Sequence, residues 1–414
     1  MQNDLPNLRH LRAFREVALQ GSISQASERI FLSQPAITQA IAKLERQLET
    51  PLFERHSNGM RLTEGGTLFA ERVERALELI RYGTQEALRI GADKSSRRAT
   101  TPGQLLGTTQ LLSTTQLRSL VAVAGARNFS LAARAIGTSQ PALFRAAREL
   151  ENLMGTALFL KNAQGIDLTR SAQVLVQQVK LAFAELAQGF AEIAALNGRD
   201  TGCIVVGALP LSHHFVLPAA INALALQRPE VEVHAVDGPY DELLHGLRHG
   251  ELDMLIGALR SPVPVDDVIQ ERLFDDPLAI VARTGHPLAG KTRITIADLA
   301  AFPWAVPRAG TPTRDSFEAL FSEHRHAKPA GLVESSSLVL IRALLLDSDR
   351  LTLISAHQIR LEAKQGLLTT LPYNLSGTRR PIGLTTRAGW RPTATQKLFL
   401  DLLRAAVGGY SEIE

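Results

Sequence analysis

The sequence predicts a multidomain protein with two similar, mainly helical modules at the front and a larger α/β domain behind them. Three observations lead to this fold class. The chain has 414 residues, which suits about three domains of ordinary size. Its front part contains a long internal repeat. Its back part alternates short apolar runs with helical patterns.

The composition is that of an ordinary globular protein. Apolar residues make up 45% of the chain and charged residues 21%, and no apolar run reaches the ~18–20 residues that span a bilayer. The first residues lack the basic and apolar regions of a signal peptide. Cys203 is the single cysteine, so an internal disulfide or a cysteine zinc site is not expected. We expect a cytoplasmic protein with no membrane partner, no metal and no cofactor.

Charge is distributed unevenly along the chain. Residues 1–175 contain 22 Lys and Arg against 15 Asp and Glu, whereas residues 176–414 contain 23 against 26. A basic front half is compatible with a polyanionic partner. A solvated surface of mixed charge would give a similar bias, so this observation alone leaves both interpretations open.

The internal repeat is the most informative feature. Ser33-Gln34-Pro35-Ala36 recurs as Ser139-Gln140-Pro141-Ala142, an offset of 106 residues. The same offset, without a gap, matches further positions: Leu11 with Leu117, Ser24 with Ser130, Leu44-Glu45 with Leu150-Glu151, Leu52-Phe53 with Leu158-Phe159, and Leu62-Thr63 with Leu168-Thr169. Because there are only two copies, the pattern indicates a duplicated module and not a solenoid.

Each copy is predicted to form three helices and a hairpin. In copy one, Leu8, Leu11, Phe14 and Ala18 share one face of a first helix. A second helix is predicted over residues 25–30 with Ser24 as its N-cap. A third follows Ser33, with Pro35 in its first turn and an apolar stripe at Ile37, Ile41, Leu44 and Leu48. A short strand at Leu52-Phe53 and a return at residues 60–62 complete a winged helix-turn-helix.

The third helix has side chains suited to reading DNA. Gln34, Thr38 and Gln39 lie opposite its apolar stripe, and Gln and Thr can hydrogen-bond to base edges in the major groove. Arg55 and Arg61 flank the hairpin and could pair with phosphates. A helical packing module with solvated polar residues is the alternative.

Five segments of copy one, in this order and spacing, resemble the N-terminal domain of LysR-type transcriptional regulators. They are Leu-Arg-Ala-Phe-Arg-Glu-Val-Ala, Gly-Ser-Ile-Ser-Gln-Ala-Ser-Glu, Ser-Gln-Pro-Ala-Ile-Thr-Gln-Ala-Ile-Ala-Lys-Leu-Glu, Pro-Leu-Phe-Glu-Arg and Arg-Leu-Thr-Glu-Gly-Gly. The resemblance implies one winged helix-turn-helix, a dimerising linker helix and a two-lobed effector domain. The extra length of this chain matches one repeat, so the DNA-binding module and its linker helix look duplicated.

The resemblance also implies DNA-contacting positions in both copies. In copy one these are Ser33, Gln34, Pro35, Thr38, Gln39, Arg55 and Arg61; in copy two they are Ser139, Gln140, Pro141, Phe144, Arg145 and Lys161. Gln39 departs from the Arg that is common in the family, and Phe144 stands at the position of Thr38. Copy two also has Leu160 for Glu54 and Asp167 for Arg61. We expect both copies to touch DNA, with a packing or dimerisation role as the alternative for copy two.

A heptad seam follows each copy. The apolar positions step by four and three: Phe69, Val73, Ala76, Ile80, Gly83, Ala87 and Ile90 after copy one; Ala172, Val176, Val179, Phe183, Leu186, Phe190 and Ile193 after copy two. The second seam predicts a dimerisation helix, with burial against the chain's own domains as the alternative. Residues 94–113 are rich in Ser, Thr and Gly and predict a flexible linker.

The back half is predicted to be an α/β domain with largely parallel sheets. Strands are expected at 203–209, 231–236, 254–258, 277–283, 351–355 and 382–387, and helices at 215–226, 240–248, 337–346, 356–364 and 393–407. The stretches 243–257 and 273–278 resemble the family's first effector lobe and the crossing to its second. The resemblance therefore implies two lobes like those of periplasmic binding proteins, with a ligand cleft between them.

These observations predict five regions. They are a first winged helix-turn-helix at 1–63, a first linker helix and flexible linker at 64–113, a second winged helix-turn-helix at 114–170, a second linker helix at 171–199, and the two-lobed domain at 200–414. Lobe 1 is expected at about 200–275 and 378–414, and lobe 2 at about 276–377.

Candidate effector contacts come from strand ends and helix starts. The resemblance places them at Leu209, Ser212, Trp304, Arg308, Thr311, Arg314, Ser335, Ser336 and Ser337. Arg308 or Arg314 could clamp a carboxylate, whereas each Ser could be a plain N-cap. The expected effector is a small molecule such as an organic acid or a sugar.

Several enzyme-like signals are weak. Residues 285–292 match G-x-x-x-x-G-K-[ST], but the segment that follows Thr292 reads as extended where a phosphate-binding loop needs a helix. His245 and His249 are spaced like a metal pair but lack the intervening Glu of H-E-x-x-H. Cys203 is expected to be buried in a strand without a His partner. We therefore expect no enzymatic activity and no catalytic residues.

The sequence thus predicts a sequence-specific DNA-binding transcriptional regulator of LysR type that responds to a small effector. Its expected partners are double-stranded DNA, further copies of itself in a dimer or tetramer, and RNA polymerase. Two alternatives stay open: a nucleotide-dependent enzyme that uses residues 285–292, and a ligand-binding module whose helical front end only mediates protein association.

Overall fold

The computed structural model of the chain describes residues 5–57, 59–92, 102–199, 202–323, 326–375 and 377–408. The chain divides into two compact units. The first contains Met1–Gly202 together with His249–Glu251, and the second contains Cys203–Arg248 and Leu252–Glu414. None of the helices in the described ranges is long and apolar enough to cross a membrane.

Copy one of the repeat folds as three helices and a hairpin, as predicted. Its elements are α1 (Leu8–Gln20), α2 (Ile23–Ile30), α3 (Gln34–Leu48), β1 (Phe53–His56) and β2 (Gly59–Leu62). Ser33 caps α3 by accepting a hydrogen bond from the amide of Ala36. The α2 prediction was wrong at its start: the N-cap is Ser22, whose Oγ accepts from the amide of Gln25, and not Ser24.

The hairpin is anchored to the end of α1 by a close backbone approach. The amide of Met60 donates to the carbonyl of Gly21 at 2.8 Å. Gly59 has a φ of 133°, and a Cβ at this position would lie 2.4 Å from that carbonyl oxygen, so only glycine fits. Gly165 of copy two repeats the arrangement against Arg127.

Copy two has the same elements in the same order. They are α6 (Thr114–Ala126), α7 (Phe129–Ala135), α8 (Gln140–Met154), β3 (Phe159–Asn162) and β4 (Gly165–Leu168), following α4 (Glu64–Gly91) and α5 (Pro102–Leu111) along the chain. Ser139 caps α8 as Ser33 caps α3. The copies meet at equivalent positions, because Thr114 Oγ1 accepts from the amide of Leu8 and donates to the carbonyl of Pro6, both at 2.9 Å.

The predicted flexible linker is partly helical, which corrects that prediction. Residues 93–101 lie outside the described residues, but α5 follows at Pro102–Leu111. Arg12 donates to the carbonyls of Thr109, Gln110 and Leu112, at 2.7 to 3.2 Å. A guanidinium at the carboxyl end of a helix satisfies its last carbonyls. This long-range cap stabilises a helix whose sequence resembles a linker.

The two long helices pack against each other inside the first unit. They are α4 and α9 (Arg170–Leu196). Gly65 near the start of α4 lies against Ile193 near the end of α9, and Gly83 lies against Gln178, so the pair is antiparallel. Both heptad seams are largely buried, and residues of both copies belong to one apolar core. The second seam is buried against elements of its own chain, which favours this alternative to a dimerisation helix for the second seam.

The second unit contains two five-stranded sheets. Its elements in chain order are β5 (Cys203–Ala208), a 3-10 turn (Pro210–His214), α10 (Val216–Gln227), β6 (Glu232–Asp237), α11 (Tyr240–Arg248), β7 (Met254–Ala258), β8 (Val268–Asp276), β9 (Leu278–Arg283), α12 (Ile296–Ala300), β10 (Trp304–Val306), α13 (Pro312–Glu323), β11 (Val333–Glu334), α14 (Leu338–Leu346), β12 (Leu351–Ser355), a 3-10 turn (Ala356–Ile359), α15 (Arg360–Lys364), β13 (Leu368–Thr370), β14 (Arg380–Arg387) and α16 (Ala394–Gly408).

The sheets are mixed, not largely parallel as predicted. Their orders are β6-β5-β7-β14-β8 and β11-β10-β12-β9-β13. Three strands of each sheet pair in parallel, and the remaining pairs are antiparallel. A parallel pairing needs a crossover connection such as a helix. Strand β9 comes directly after β8 of the other sheet, and β14 comes after β13 of the other sheet. Both strands therefore pair with their neighbours in the antiparallel direction.

Candidate nucleic-acid interface and ligand cavity

The amino-terminal half of α3 and the hairpin of copy one form a shallow concave surface. Gln34, Pro35, Thr38, Gln39 and Arg55 all line it. These are five of the seven predicted DNA contacts of this copy. The apolar stripe of α3 at Ile37, Ile41 and Leu44 is buried on the opposite side, so the polar side chains face solvent.

Local hydrogen bonds orient the polar residues of this surface. Thr38 Oγ1 donates to the carbonyl of Gln34 at 3.0 Å, and Gln34 Nε2 donates to Ser24 Oγ at 3.4 Å. Ser33 has a structural role as the cap. Arg61 lies on β2 opposite Glu54 of β1 and is exposed. Exposed Gln side chains near a helix N-terminus, flanked by Arg55, can contact base edges and phosphates.

Copy two presents a different surface at the equivalent positions. Gln140 is again tied to the preceding helix, because Ser130 Oγ donates to its Oε1 at 2.9 Å. Phe144 remains 42% exposed, packs edge-on against Phe129 and has Arg148 over its ring. Arg145 is exposed beside it. This module therefore offers a guanidinium and an aromatic ring where copy one offers an amide and a hydroxyl.

The hairpin of copy two carries less free positive charge. Lys161 is exposed in β3, which preserves the charge of Arg55. Asp167 in β4 takes the position of Arg61; it accepts from Asn162 Nδ2 at 2.5 Å and lies 4.0 Å from an Arg127 nitrogen. A carboxylate at this place repels phosphate, so this hairpin is electrostatically the weaker of the two.

The predicted effector residues are held by different local contacts. Trp304 is fully buried in the core with Phe317 and Phe321, and its indole N–H donates to the carbonyl of Leu299. Arg314 donates to Glu318 at 2.7 Å and Glu334 at 2.9 Å, so its guanidinium already has carboxylate partners. The complete burial of Trp304 gives it a structural role in place of the predicted ligand contact, and the two carboxylates orient the guanidinium of Arg314.

The remaining candidates are mostly backbone caps. Ser212 Oγ donates to the carbonyl of Leu209, and Ser337 caps α14 by accepting from the amide of Leu340. Thr311 Oγ1 donates to the carbonyl of Arg308, which is exposed. Ser335 Oγ accepts from the amide of Ser337, and Ser336 is exposed. Ser337 is therefore an N-cap, as the alternative interpretation of these serines predicted.

A cavity of about 300 Å³ lies beside these segments in the second unit. Its charged and titratable lining residues come from the first 3-10 turn, from α14 and from the segment around α15: His213, His214, Arg342, His357, Arg360 and Lys364. The lining thus joins three cationic side chains to three imidazoles. The sequence does not predict this cavity, because the cationic side chains lie beside His213 and His214 only in the folded chain.

His214 is held neutral in this cavity. Burial, reinforced by the nearby charges of Arg342 and His213, lowers the pKa of His214 to about 4. Arg342 itself is partly neutralised, since its Nε lies 2.8 Å from Glu362 and its Nη2 donates to the carbonyl of Gln358 at 2.6 Å. Basic groups collected around a small concave site favour an anionic ligand.

The nucleotide-loop alternative has no structural basis here. Residues 285–292 form turns, and Ile296–Ala300 is the next helix. Lys291 Nζ donates to Asp298 at 2.8 Å, and with Thr295 this lowers the pKa of Asp298 to about 2. A phosphate-binding loop instead needs a helix that starts at the Lys-Thr pair.

The surroundings of Cys203 differ from those predicted. It is half-buried, and the parallel pairing of β5 with β6 brings Glu232 and His234 beside it, with the three donor atoms within 4.8 Å of one another. The expectation of no His partner was therefore wrong, because the register of two parallel strands cannot be read from the sequence. Burial, with Asp253 and Glu232 nearby, raises the pKa of the Cys203 thiol, which disfavours the thiolate that binds metals.

Together, the duplicated winged helices and the two-sheet domain define a DNA-binding regulator with a ligand-binding domain. Family models agree. The model of the bacterial regulatory helix-turn-helix protein, lysR family, matches residues 8–67 and again 114–173, and that of the LysR substrate binding domain matches 197–408. The chain belongs to the LysR family of DNA-binding transcriptional regulators. Membership confirms the predicted regulator and excludes the protein-association alternative.

The chain is similar to known regulators over most of its length. It is 37% identical over 386 residues to the HTH-type transcriptional regulator GalR of Pseudomonas putida, covering 93% of this chain and 94% of that one. Such coverage necessarily includes both winged-helix modules. A full-length OxyR variant of Pseudomonas aeruginosa matches 71% of this chain and 93% of its own with a TM-score of 0.51 and 23% identity. CbnR in complex with its target DNA matches 70% and 98% with a TM-score of 0.50 and 20% identity.

Proposed function

We propose that this regulator binds double-stranded DNA through both winged-helix modules and responds to a small organic anion. The observation that carries the DNA half of the proposal is the repetition of an exposed, capped recognition helix in each module. Gln34 and Gln39 on α3, and Gln140 and Arg145 on α8, occupy the reading positions. As a regulator of bacterial genes, the protein works in the cytoplasm and in contact with RNA polymerase.

The first experiment measures sequence-specific DNA binding. The full chain is used to select sites from random double-stranded DNA, and affinity for the selected site is followed against salt concentration. Gln34→Ala/Gln39→Ala should lose about tenfold or more in specific affinity while retaining nonspecific binding, because side-chain contacts to bases carry the discrimination. Gln227→Ala/Gln365→Ala removes two exposed glutamines of the second unit and is the matched control. Equal loss in both variants would contradict the proposal.

The effector half of the proposal rests on the charge of the cavity in the second unit. Arg360 and Lys364 line it together with three imidazoles. A carboxylate would be held by charge-assisted hydrogen bonds there, whereas a neutral sugar would gain little from these groups. Of the two classes of effector expected from the sequence, the cavity therefore favours the organic acid.

The effector experiment compares two panels of probes. Small mono- and dicarboxylic acids and neutral monosaccharides are added to the full chain, and the thermal unfolding midpoint and the heat of binding are measured. We expect stabilisation by at least one acid, lost in Arg360→Met/Lys364→Met and retained in the control Arg391→Met/Lys397→Met. Stabilisation by sugars alone, or by acids equally in both variants, would contradict an anion site in this cavity.

A further inference from the structure

The contacts between α4 and α9 are reciprocal under the repeat offset of 106 residues. A Cβ on Gly189 would lie 3.1 Å from Arg72, and the equivalent pair, Gly83 and Gln178, shows the same approach at 2.6 Å. Thr50 Oγ1 accepts from Asn197 Nδ2 at 2.6 Å, and the equivalent Thr156 lies against Gly91. Each contact thus occurs twice, with the two copies exchanged.

Reciprocal contacts of this kind define a two-fold axis. In a symmetric dimer, residue i of one chain meets residue j of the other, and j meets i. Here both partners belong to one chain, so the unit is a pseudo-dimer with an approximate two-fold axis between the modules. The hydrogen bond from the Leu8 amide to Thr114 Oγ1 joins equivalent positions and lies close to that axis.

One charged cluster breaks the symmetry, because the repeat offset does not reproduce it. Arg72 donates to Glu185 at 2.8 Å and to Gln188 at 2.8 Å, and to Glu192 at 2.5 and 2.9 Å. The offset replaces Arg72 by Gln178, Glu185 by Leu79 and Gln188 by Tyr82. Of the acidic partners, Glu192 alone has an acidic counterpart, Glu86, so the complete cluster forms only between an α4 and an α9.

The cluster discriminates against pairing of like helices. Two α4 helices from different chains would leave Arg72 with Glu86 but with Leu79 and Tyr82 in place of Glu185 and Gln188. Two α9 helices would bury Glu185 against Gln178. An unpaired buried charge costs several kcal/mol, which disfavours the pair of α9 helices most, and the pair of α4 helices loses two of the three partners of Arg72. A single buried polar group is a known device for fixing partner and register of paired helices.

The reading surfaces of this pseudo-dimer are not alike. The third helices share Gln34 and Gln140 but differ at the next two reading positions, Thr38 and Gln39 against Phe144 and Arg145. Gln favours adenine, Arg favours guanine, and an aromatic ring contacts the thymine methyl. The hairpins differ as well, with Arg61 in one and Asp167 in the other.

From these features we infer that a single chain reads a two-part DNA site by itself, and that the two half-sites are inverted but differ in sequence. The approximate two-fold axis sets the inverted orientation, as it does in helix-turn-helix dimers. The different side chains on α3 and α8 set the different sequences. This inference rests on the proposed function, that both modules bind DNA.

The experiment uses the full chain and four synthetic duplexes. Half-sites A and B are taken from the selected site, and duplexes A·B, inverted A·A, inverted B·B and A with a scrambled partner are titrated at fixed salt. We expect A·B to bind about tenfold more tightly than A·A or B·B, since one or two base contacts are mismatched in each repeat. Gln34→Ala/Gln39→Ala should relax preference only in A, and Gln140→Ala/Arg145→Ala only in B.

A gain-of-function variant strengthens the test. Thr38→Phe/Gln39→Arg gives copy one the side chains of copy two, and we expect its preference to move from A·B toward B·B. If A·A binds as tightly as A·B, or if only the copy-one variant alters the selected site, the inference is overturned while DNA binding stands. Failure to select any sequence above salt-sensitive background would instead overturn the proposed function as well.

Discussion

Arg72 of α4 donates from Nη1 to Glu185 Oε2 of α9 at 2.8 Å, and both side chains are more than nine-tenths buried. Burial by itself lowers the pKa of Arg72, but the hydrogen bonds to Glu192 and Glu185 outweigh it and raise the pKa above its ordinary value. The pair joins elements that are more than a hundred residues apart in sequence. Breaking this pair therefore tests whether the helices of the two copies pack together.

Removal of the guanidinium should destabilise the first unit strongly. Arg72→Met leaves Glu185 and Glu192 without this partner, and we expect a loss of about 3–5 kcal/mol in the free energy of unfolding. Both tryptophans, Trp304 and Trp390, lie in the second unit. Circular dichroism should show the helical transition moving to lower denaturant, whereas tryptophan fluorescence should not move.

The control for this change is Arg89→Met. Arg89 is largely exposed and pairs with Glu86 of the same helix, so we expect a loss of about 0.5 kcal/mol or less. Equal effects of the two substitutions on the helical transition would mean that the buried cluster does not hold the copies together.

A methyl group at the crossing of α4 and α9 should also destabilise the pair. Gly83→Ala places a Cβ 2.6 Å from the Cβ of Gln178, so the helices must separate. In an exposed helix the same substitution stabilises by about 1 kcal/mol. Gly125→Ala in α6, where nothing lies within 4 Å, is the matched control. In urea unfolding, opposite signs for the two variants are expected, and a stabilising Gly83→Ala would show that the helices are not in close contact.

Charge reversal in the second hairpin should strengthen DNA binding. Asp167→Arg restores the charge that Arg61 supplies in copy one. Each added phosphate contact steepens the dependence of log affinity on log salt by about one. We expect a slope steeper by about one in electrophoretic or fluorescence titrations. Glu230→Arg makes the same charge change at an exposed site of the second unit; an identical slope change there would assign the effect to net charge alone.

The stability of the second unit should fall in acid partly through His214. Because its pKa is lowered to about 4, the folded form stays neutral while the unfolded form takes up a proton below about pH 6.5. The contribution is thus present above pH 6.5 and is lost as the pH falls toward 4. The midpoint of unfolding of the second unit is followed by tryptophan fluorescence between pH 7 and 4.5. With His214→Asn we expect a smaller decline of this midpoint as the pH falls. His234→Asn, at an exposed site, should leave the decline unchanged, and a matching effect there would argue against this role.

The repeated module could be predicted from the sequence because its signals are local. Caps such as Ser33 and Ser139, the proline that follows, and the apolar stripe of each third helix lie within a few residues of one another. Their spacing predicts both the helices and the exposed reading face. The α2 cap was misplaced by two residues because Ser22 and Ser24 are equally good caps by residue type.

Features that depend on distant contacts could not be predicted in the same way. The partner of the α9 seam is another helix of the chain, and periodicity alone does not distinguish that from a second chain. The helix α5 depends on Arg12, about a hundred residues earlier. Strands of two or three residues, such as β10 and β11, are too short to show a pattern. The basic cavity joins turns that meet only in the folded second unit.

We conclude that both winged-helix modules of one chain pair with each other. Cross-linking tests it most directly. In a Cys203→Ser background, Thr50→Cys/Asn197→Cys and, separately, Gly91→Cys/Thr156→Cys place two thiols on either side of the interface. A short bis-maleimide is added over a hundredfold range of protein concentration, and the products are sized under denaturing conditions. We expect an internally linked single chain at every concentration for both pairs. Linked dimers whose yield rises with concentration would contradict it.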